Sequence, residues 1–178
     1  MQSKNRRERF EEHVLPHLDA AYNLARWLTR NDHDAQDIVQ ESYLRAFKFF
    51  DSFRSANARP WLLKIVRNTA YTWLQRNRAH DLAASVDDDF EIEGIESREP
   101  SPESQLLSNY EADRLKQALE DLPVEFREVM VMRELEELSY KEIADISAIP
   151  VGTVMSRLAR ARKRLQRSLS EQPARSIE

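Results

Sequence analysis

Between Val151 and Leu165 the chain reads VGTVMSRLARARKRL. Apolar residues recur at 151, 154, 158, 161 and 165, and Arg157, Arg160, Arg162, Lys163 and Arg164 fill the remaining face, with Arg167 just beyond. A row of guanidinium groups does no acid–base work near neutral pH. Its chemistry is to bind anions, and Arg can also meet the edge of a guanine with two parallel hydrogen bonds. Residues 151–170 hold six cations and no carboxylate. A solvated helix face ordinarily mixes signs to form i,i+4 pairs, so this helix points to nucleic acid.

A second cationic stretch lies at residues 61–80, where Lys64, Arg67, Arg76 and Arg78 again have no carboxylate among them. Aromatic residues interleave with it: Trp61, Tyr71 and Trp73, with Phe53 in the loop DSFRSANARP just before. Cations along a path with rings beside it suit a single strand, whose bases stack on aromatic faces while phosphates meet the charges. Trp73 falls on the apolar stripe and reads as core. Trp61, at the helix start beside a polar loop, reads as functional.

Other chemistries find little support. The chain has no Cys, so thiol nucleophiles, disulfides and thiolate metal sites are excluded. Asp87, Asp88 and Asp89 could suggest a metal-dependent nuclease, but they lie in a structureless acidic run with no second cluster. His13 and His17 are four apart, yet Pro16 lies between them and no Glu or Cys completes a zinc site. No catalytic constellation, metal site, cofactor site or small-molecule substrate is expected. No apolar run reaches the ~18 residues of a membrane span, and MQSKNRRERFEEH has no apolar core of a secretory signal. The expectation is a cytoplasmic protein without membrane insertion.

The elements that must hold these residues are helices. The 178 residues include 33% charged residues and only two Gly, a composition suited to short amphipathic helices. The spacing predicts a short and then a longer helix over 6–30, separated at Pro16. Further helices are predicted over 34–50 and from Pro60 to about Arg78. Periodicity then disappears. Residues 81–104 hold nine carboxylates against one Arg98, and read as a flexible acidic linker. Helices resume at about 105–121, 123–135, 139–147 and 151–169, and a disordered tail follows over 170–178. Ser139 and Glu142 form the sequence signature of a capping box. The break at Ala148-Ile149-Pro150 leads straight into the basic helix, which is the helix-turn-helix pattern. The fold class is all-α: two small bundles over 1–80 and 105–169 joined by the linker 81–104.

The stretch LSYKEIADISAIPVGTVMSRLARARKRL resembles region 4.2 of bacterial extracytoplasmic-function RNA polymerase sigma factors of the sigma-70 family, and LPVEFREVMVMREL resembles region 4.1. DAQDIVQESYLRAFKFFDSF is similar to regions 2.1–2.2 and NARPWLLKIVRNTAYTWLQRNR to regions 2.3–2.4, in the family's order. The resemblance implies a subunit that directs core polymerase to promoters. Its partners are then core RNA polymerase, through the β′ clamp helices and the β flap, promoter DNA, and an anti-sigma factor. Thr153, Met155, Ser156, Arg157, Ala159, Arg160, Arg162, Lys163 and Arg164 are implied at the −35 element. Arg160 faces the bases with Met155, Ser156 and Ala159, while the other cations lie nearer phosphates. Asp34, Asp37, Gln40, Glu41 and Arg45 are implied at the polymerase clamp. Three positions depart from the family's usual pattern: Ala148 where Gly is usual at the turn, Met155 where Lys or Arg is common, and Gln36 where an acid is common.

Melting must draw on binding energy, since no ATP-binding signature is present. A DNA step stacks with about 1.4 kcal/mol, and stacking on an aromatic side chain returns roughly 1–3 kcal/mol per base. Phe53, Asn57 and Trp61 are placed to hold an extruded −10 base, with Lys64, Arg67, Asn68, Tyr71, Arg76 and Arg78 along the strand path. The linker's 24 residues span at most about 80 Å, enough for both modules to engage DNA together. Its carboxylates either mimic nucleic acid in the polymerase channel or serve only as a self-repelling tether. The competing class is a stand-alone helix-turn-helix regulator that needs no polymerase. It would require a sensor domain, and residues 6–78 carry no ligand pocket or phospho-acceptor pattern.

Overall fold

The computed structural model describes residues 5–84 and 106–171, with side chains over 5–77 and 109–171. All regular elements among them are helical. The first group comprises α1 (Arg6–Val14), a 3-10 turn (Leu15–His17), α2 (Leu18–Thr29), α3 (Asp32–Lys48), a 3-10 turn (Phe50–Ser52) and α4 (Ala58–Ala84). The second comprises α5 (Leu106–Glu120), α6 (Val124–Met130), a π-helical turn (Val131–Leu135), α7 (Tyr140–Ser147) and α8 (Val151–Glu171).

In the first group α2, α3 and α4 pack on one another. Ala21, Ala25, Ala35, Ala46 and Ala70 are at most marginally exposed at the crossings. Small side chains there let the backbones approach, so that Leu24, Leu28, Ile38, Leu62 and Val66 fill the centre. Each buried Leu or Ile contributes about 1.5–3 kcal/mol by leaving water. Pro16 stands in the 3-10 turn between α1 and α2, where it donates no hydrogen bond. Arg30 closes α2 in the left-handed conformation (φ 59°), and Asn31 caps α3 by accepting from the Asp34 N–H at 3.0 Å. Asp32 ties the corner by accepting from Arg26 Nε at 2.6 Å and from the Tyr22 hydroxyl at 3.1 Å. The Arg26 hydrogen bond holds the Asp32 carboxyl below its ordinary pKa, against a smaller opposing effect of burial.

The second group is built round α8. Val154, Leu158, Ala161 and Leu165 are buried against α6 and α7, whereas Val151, the first residue of the helix, is 42% exposed. The capping box at α7 forms as predicted: Ser139 Oγ accepts from the Glu142 N–H and Glu142 Oε1 from the Ser139 N–H, both at 3.1 Å. Ala148 ends α7 at φ 54°, ψ 45°. The left-handed turn is therefore made without Gly, and the Ile149 N–H reaches back to the Ala144 carbonyl at 3.1 Å.

Several boundaries differ from the sequence expectation. Helix α4 begins at Ala58, so Pro60 stands third, and it continues to Ala84, into the stretch read as linker. Helix α8 likewise runs to Glu171. The expectations for the rest of the linker, 85–104, and for the tail from 172 lie outside the described residues. The break of α6 into a π turn has no signature in the apolar spacing. The two groups also pack on each other, through α4 with α7 and α2 with α6, which a reading of two tethered modules does not anticipate.

Candidate nucleic-acid interface

Helix α8 turns its polar side away from α6 and α7. Met155, Ser156, Ala159, Arg160 and Lys163 are exposed on it, and Thr153 is half-buried near its start. The Ser156 hydroxyl donates to the Gly152 carbonyl at 2.8 Å and keeps its lone pairs outward. Arg160 and Lys163 have no ion-pair partner among the described residues. The other cations expected at the flanks are engaged. Arg162 Nη2 lies 3.0 Å from Glu134 Oε1, which raises the Arg162 pKa. Arg164 stacks over the Phe126 ring, 5.1 Å from its centroid. Arg157 is half-buried with Nη1 3.9 Å from Glu128 Oε1.

The loop before α4 brings its aromatic residues into one cluster. The Phe53 ring centroid lies 5.2 Å from that of Trp61 and 6.0 Å from that of Phe50, nearly parallel to the latter. Phe50 in turn meets Phe10 edge-on. Trp61 is thus half-buried, with one side on the core and the other toward the loop. Trp73 packs against the core, as expected. Asn57 is exposed but also caps α4, its Oδ1 accepting from the Arg59 N–H at 3.1 Å. Asn68 and Arg76 are exposed on α4; the Arg78 side chain lies outside the described residues.

Lys64, Arg67 and Tyr71, expected along the strand path, face the second group of helices. Lys64 Nζ is 3.7 Å from Asp145 Oδ1. Arg67 Nε and Nη2 donate to the two oxygens of Glu128 at 3.0 and 3.3 Å. Its guanidinium also lies 3.8 Å from the Tyr71 ring centroid. Burial alone would lower the Arg67 pKa; the Glu128 carboxylate outweighs it and the value rises. Glu128 itself is fully buried, and burial pushes its carboxyl up against the pull of Arg67. The Tyr71 hydroxyl is buried without a hydrogen-bond partner, and burial raises its pKa strongly.

A third surface lies on α3. Asp37, Gln40 and Glu41 are exposed, Asp34 and Arg45 half-buried, and Arg45 is held by Glu41 at 2.8 Å. Burial raises the Asp34 pKa. Ile38 points into the core, whereas Leu44 stands 73% exposed among the polar residues, with Phe47 and Phe49 nearby at 38% and 54%. An apolar knob ringed by charge is the shape of a protein-docking surface.

Sequence reasoning missed Arg59, Arg127, Glu128 and Glu136. Arg127 is buried and donates to the carbonyls of Glu120, Leu122 and, across the groups, Leu28. Burial, reinforced by Arg30, lowers its pKa to about 10. The available signal was the position of Glu128 within the apolar spacing Val124, Val131, Leu135.

Residues 13–80 match the family model described as Sigma-70 region 2, and residues 112–165 that described as Sigma-70, region 4. Over 135 residues the chain is 39% identical to the ECF RNA polymerase sigma-E factor of Salmonella typhimurium, covering 73% of this chain and 71% of that protein. The chain belongs to the ECF RNA polymerase sigma factors. Its likeness to the sigma factor SigE of Mycolicibacterium smegmatis extends over 162 residues at 32% identity, 91% of this chain but only 62% of that sigma factor's length. Among solved structures, the Bartonella quintana sigma factor RpoE, in complex with the anti-sigma factor NepR, superposes with a TM-score of 0.72 at 29% identity. That match covers 93% of this sigma factor and 99% of RpoE. CnrH, solved with the cytosolic domain of CnrY, shares the fold at a TM-score of 0.65 and 24% identity, over 96% of this chain and 92% of CnrH. No helix among the described residues is long and apolar enough to cross a membrane.

Proposed function

We propose that this chain joins core RNA polymerase in the cytoplasm and directs it to promoters. In this reading residues 1–80 form the module that captures the −10 strand and docks on the β′ clamp. Residues 81–104 tether it to the module 105–169, which reads the −35 duplex and meets the β flap; 170–178 is a tail. The observation that carries the reading is the outward face of α8, where Met155, Ser156, Ala159 and Arg160 stand exposed on a helix-turn-helix fixed by the Ser139 capping box and the Ala148 turn. Arg160 reaches base edges, and Lys163 a phosphate. Trp61 and Phe53 stack an unpaired base, with Asn57 beside them. Leu44 and the polar residues around it meet the clamp. Polymerisation belongs to the partner, and the chain carries no catalysis of its own. An anti-sigma factor, as in the complex of RpoE with NepR, holds it until induction.

The test is transcription in vitro with core polymerase on a library of promoter fragments. Transcripts should start from fragments sharing one −35 and −10 pair, and only when the chain is present. Tight binding of one operator by the free protein, unchanged by core and without transcripts, would instead identify a stand-alone regulator.

A further inference from the structure

His13 and His17 are four positions apart, and the fold gives them different surroundings. His17 is half-buried in the 3-10 turn, where burial, reinforced by the charge of Arg59, lowers its pKa. His13 stands exposed on the last turn of α1. Its ring centroid lies 6.1 Å from that of Phe53 and 6.4 Å from that of Phe50, with the ring planes tilted by 53° and 36°. His13 therefore joins the aromatic cluster of Phe50, Phe53 and Trp61, from a helix that carries none of the residues assigned to DNA so far. No hydrogen bond engages its ring nitrogens among the described residues. The helix holds it firmly. Phe10 and Val14, on either side of it in the sequence, are buried. Phe10 meets Phe50 and Tyr43 edge-on at 5.5 and 6.2 Å, and the Tyr43 hydroxyl donates to the Val14 carbonyl at 3.2 Å. One turn before His13, the Arg9 guanidinium lies 5.8 Å from the Phe50 centroid.

Stacking alone distinguishes bases poorly, because every base has a π face. To prefer one base, a pocket must also hydrogen-bond its edge. The Asn57 Oδ1 already accepts from the Arg59 N–H at 3.1 Å, so part of its capacity is spent on the helix start. His13 has both ring nitrogens to spare. A neutral imidazole offers one donor and one acceptor, the pairing a base edge also presents. A base stacked on Phe53 lies about 3.5–4 Å from that ring. Its edge then faces a group set beside Phe53 and tilted to it, which is where His13 stands. We propose that His13 is a specificity-determining residue of the −10 pocket: its imidazole hydrogen-bonds the edge of the base that stacks on Phe53 and Trp61. The proposal rests on the −10 capture reading and adds how that pocket tells one base from another. It also gives α1 a part in promoter choice. Phe10 and Val14 fix the imidazole before DNA arrives, so little ordering is left to do when the base enters.

The experiment uses holoenzyme assembled from core polymerase and the full chain. Its substrates are fork-junction promoter fragments whose −10 element is single-stranded, with each of the four bases placed in turn at each position. Competition between fragments gives a base preference per position. Trp61→Ala, or Phe53→Leu should the first not fold, marks the captured base as the position whose preference falls. His13→Phe keeps a ring against Phe53 and removes the polar atoms. It should reduce the preference at that same position by about three- to tenfold, the worth of one neutral hydrogen bond, and leave the other positions unchanged. His13→Gln, which restores a donor and an acceptor, should recover part of the preference. Since His13 is exposed, these two His13 variants should melt with the parent. A His13→Phe holoenzyme with the parent's preference at the marked position would overturn the proposal. So would an equal loss at every position, which would make His13 a support for the fold. If neither Trp61→Ala nor Phe53→Leu alters any base preference while the parent still initiates, the base-capture reading fails, and the role of His13 with it.

Discussion

Ala148 shows how much one backbone angle matters. The turn between α7 and α8 needs a left-handed residue, and the chain supplies it with Ala at φ 54°. An L side chain there costs about 1–2 kcal/mol relative to the right-handed helical conformation, a cost Gly does not meet. The surrounding bonds explain why Ala is tolerated: Ile149 N–H on the Ala144 carbonyl and Pro150 carbonyl under the Thr153 and Val154 N–H groups at 3.0 and 3.1 Å. Ala148→Gly should therefore raise stability by roughly 0.5–1 kcal/mol, the relief of strain less the entropy Gly adds to the unfolded chain. Thermal melting reads this as a rise of about 1–4 °C for a chain of this length. A fall in melting temperature would mean that the left-handed angle carries no strain. Glu128 illustrates the opposite case at the same scale. Its place within the apolar spacing is the one mark the sequence gives it; its partners are not legible, because Arg67 and Arg157 are 61 and 29 positions away and only the fold brings them together.

At the scale of elements the sequence was legible wherever local chemistry decides the outcome. Pro16 separates α1 from α2, Ser139 with Glu142 starts α7, and Val154, Leu158, Ala161 and Leu165 face inward on α8. Helix α4 was read short because its last turns, to Ala84, carry no apolar stripe to continue the pattern. The π turn at Val131–Leu135 was not legible, since an extra residue in a turn shifts a face without changing which residues are apolar. Helix α3 shows where periodicity and function part. Its apolar Leu44 was indistinguishable from the core residues Ile38 and Ala46 by type, yet it is 73% exposed. An exposed side chain contributes little to folding, so Leu44→Asp should leave the melting temperature within about 2 °C, consistent with a surface change of under about 0.5 kcal/mol. Placed against the polymerase clamp, the buried carboxylate should weaken core binding by tenfold or more, the effect of about 1.4 kcal/mol or greater. Competition with a labelled parent for core polymerase measures it. Equal competition would remove α3 from the docking surface.

For the molecule as a whole the sequence poses a paradox that the structure resolves. An excess of acidic residues gives a net charge of −4, yet six cations line α8. Counted from the sequence alone, six phosphate contacts would give a logarithmic salt slope near −5 for duplex binding. The fold reduces that number. Arg157 is drawn to Glu128, Arg162 is paired with Glu134, and Arg164 lies on Phe126, so Arg160, Lys163 and Arg167 are the cations of α8 without such partners among the described residues. The free protein should then bind a −35 duplex weakly, with a slope no steeper than about −3. Lys163→Ala should flatten it by about 0.9 and weaken all sequences alike, whereas Arg160→Ala should cost about 1–3 kcal/mol at the preferred −35 sequence and relax preference at one or two base pairs. Anisotropy of labelled duplexes carrying single-base changes, titrated at several salt concentrations, separates the two effects. If Arg160→Ala weakens every sequence equally, that side chain is a phosphate contact and α8 lies rotated in the groove. A slope near −5 for the free parent would show that the ion pairs of α8 yield to DNA without polymerase.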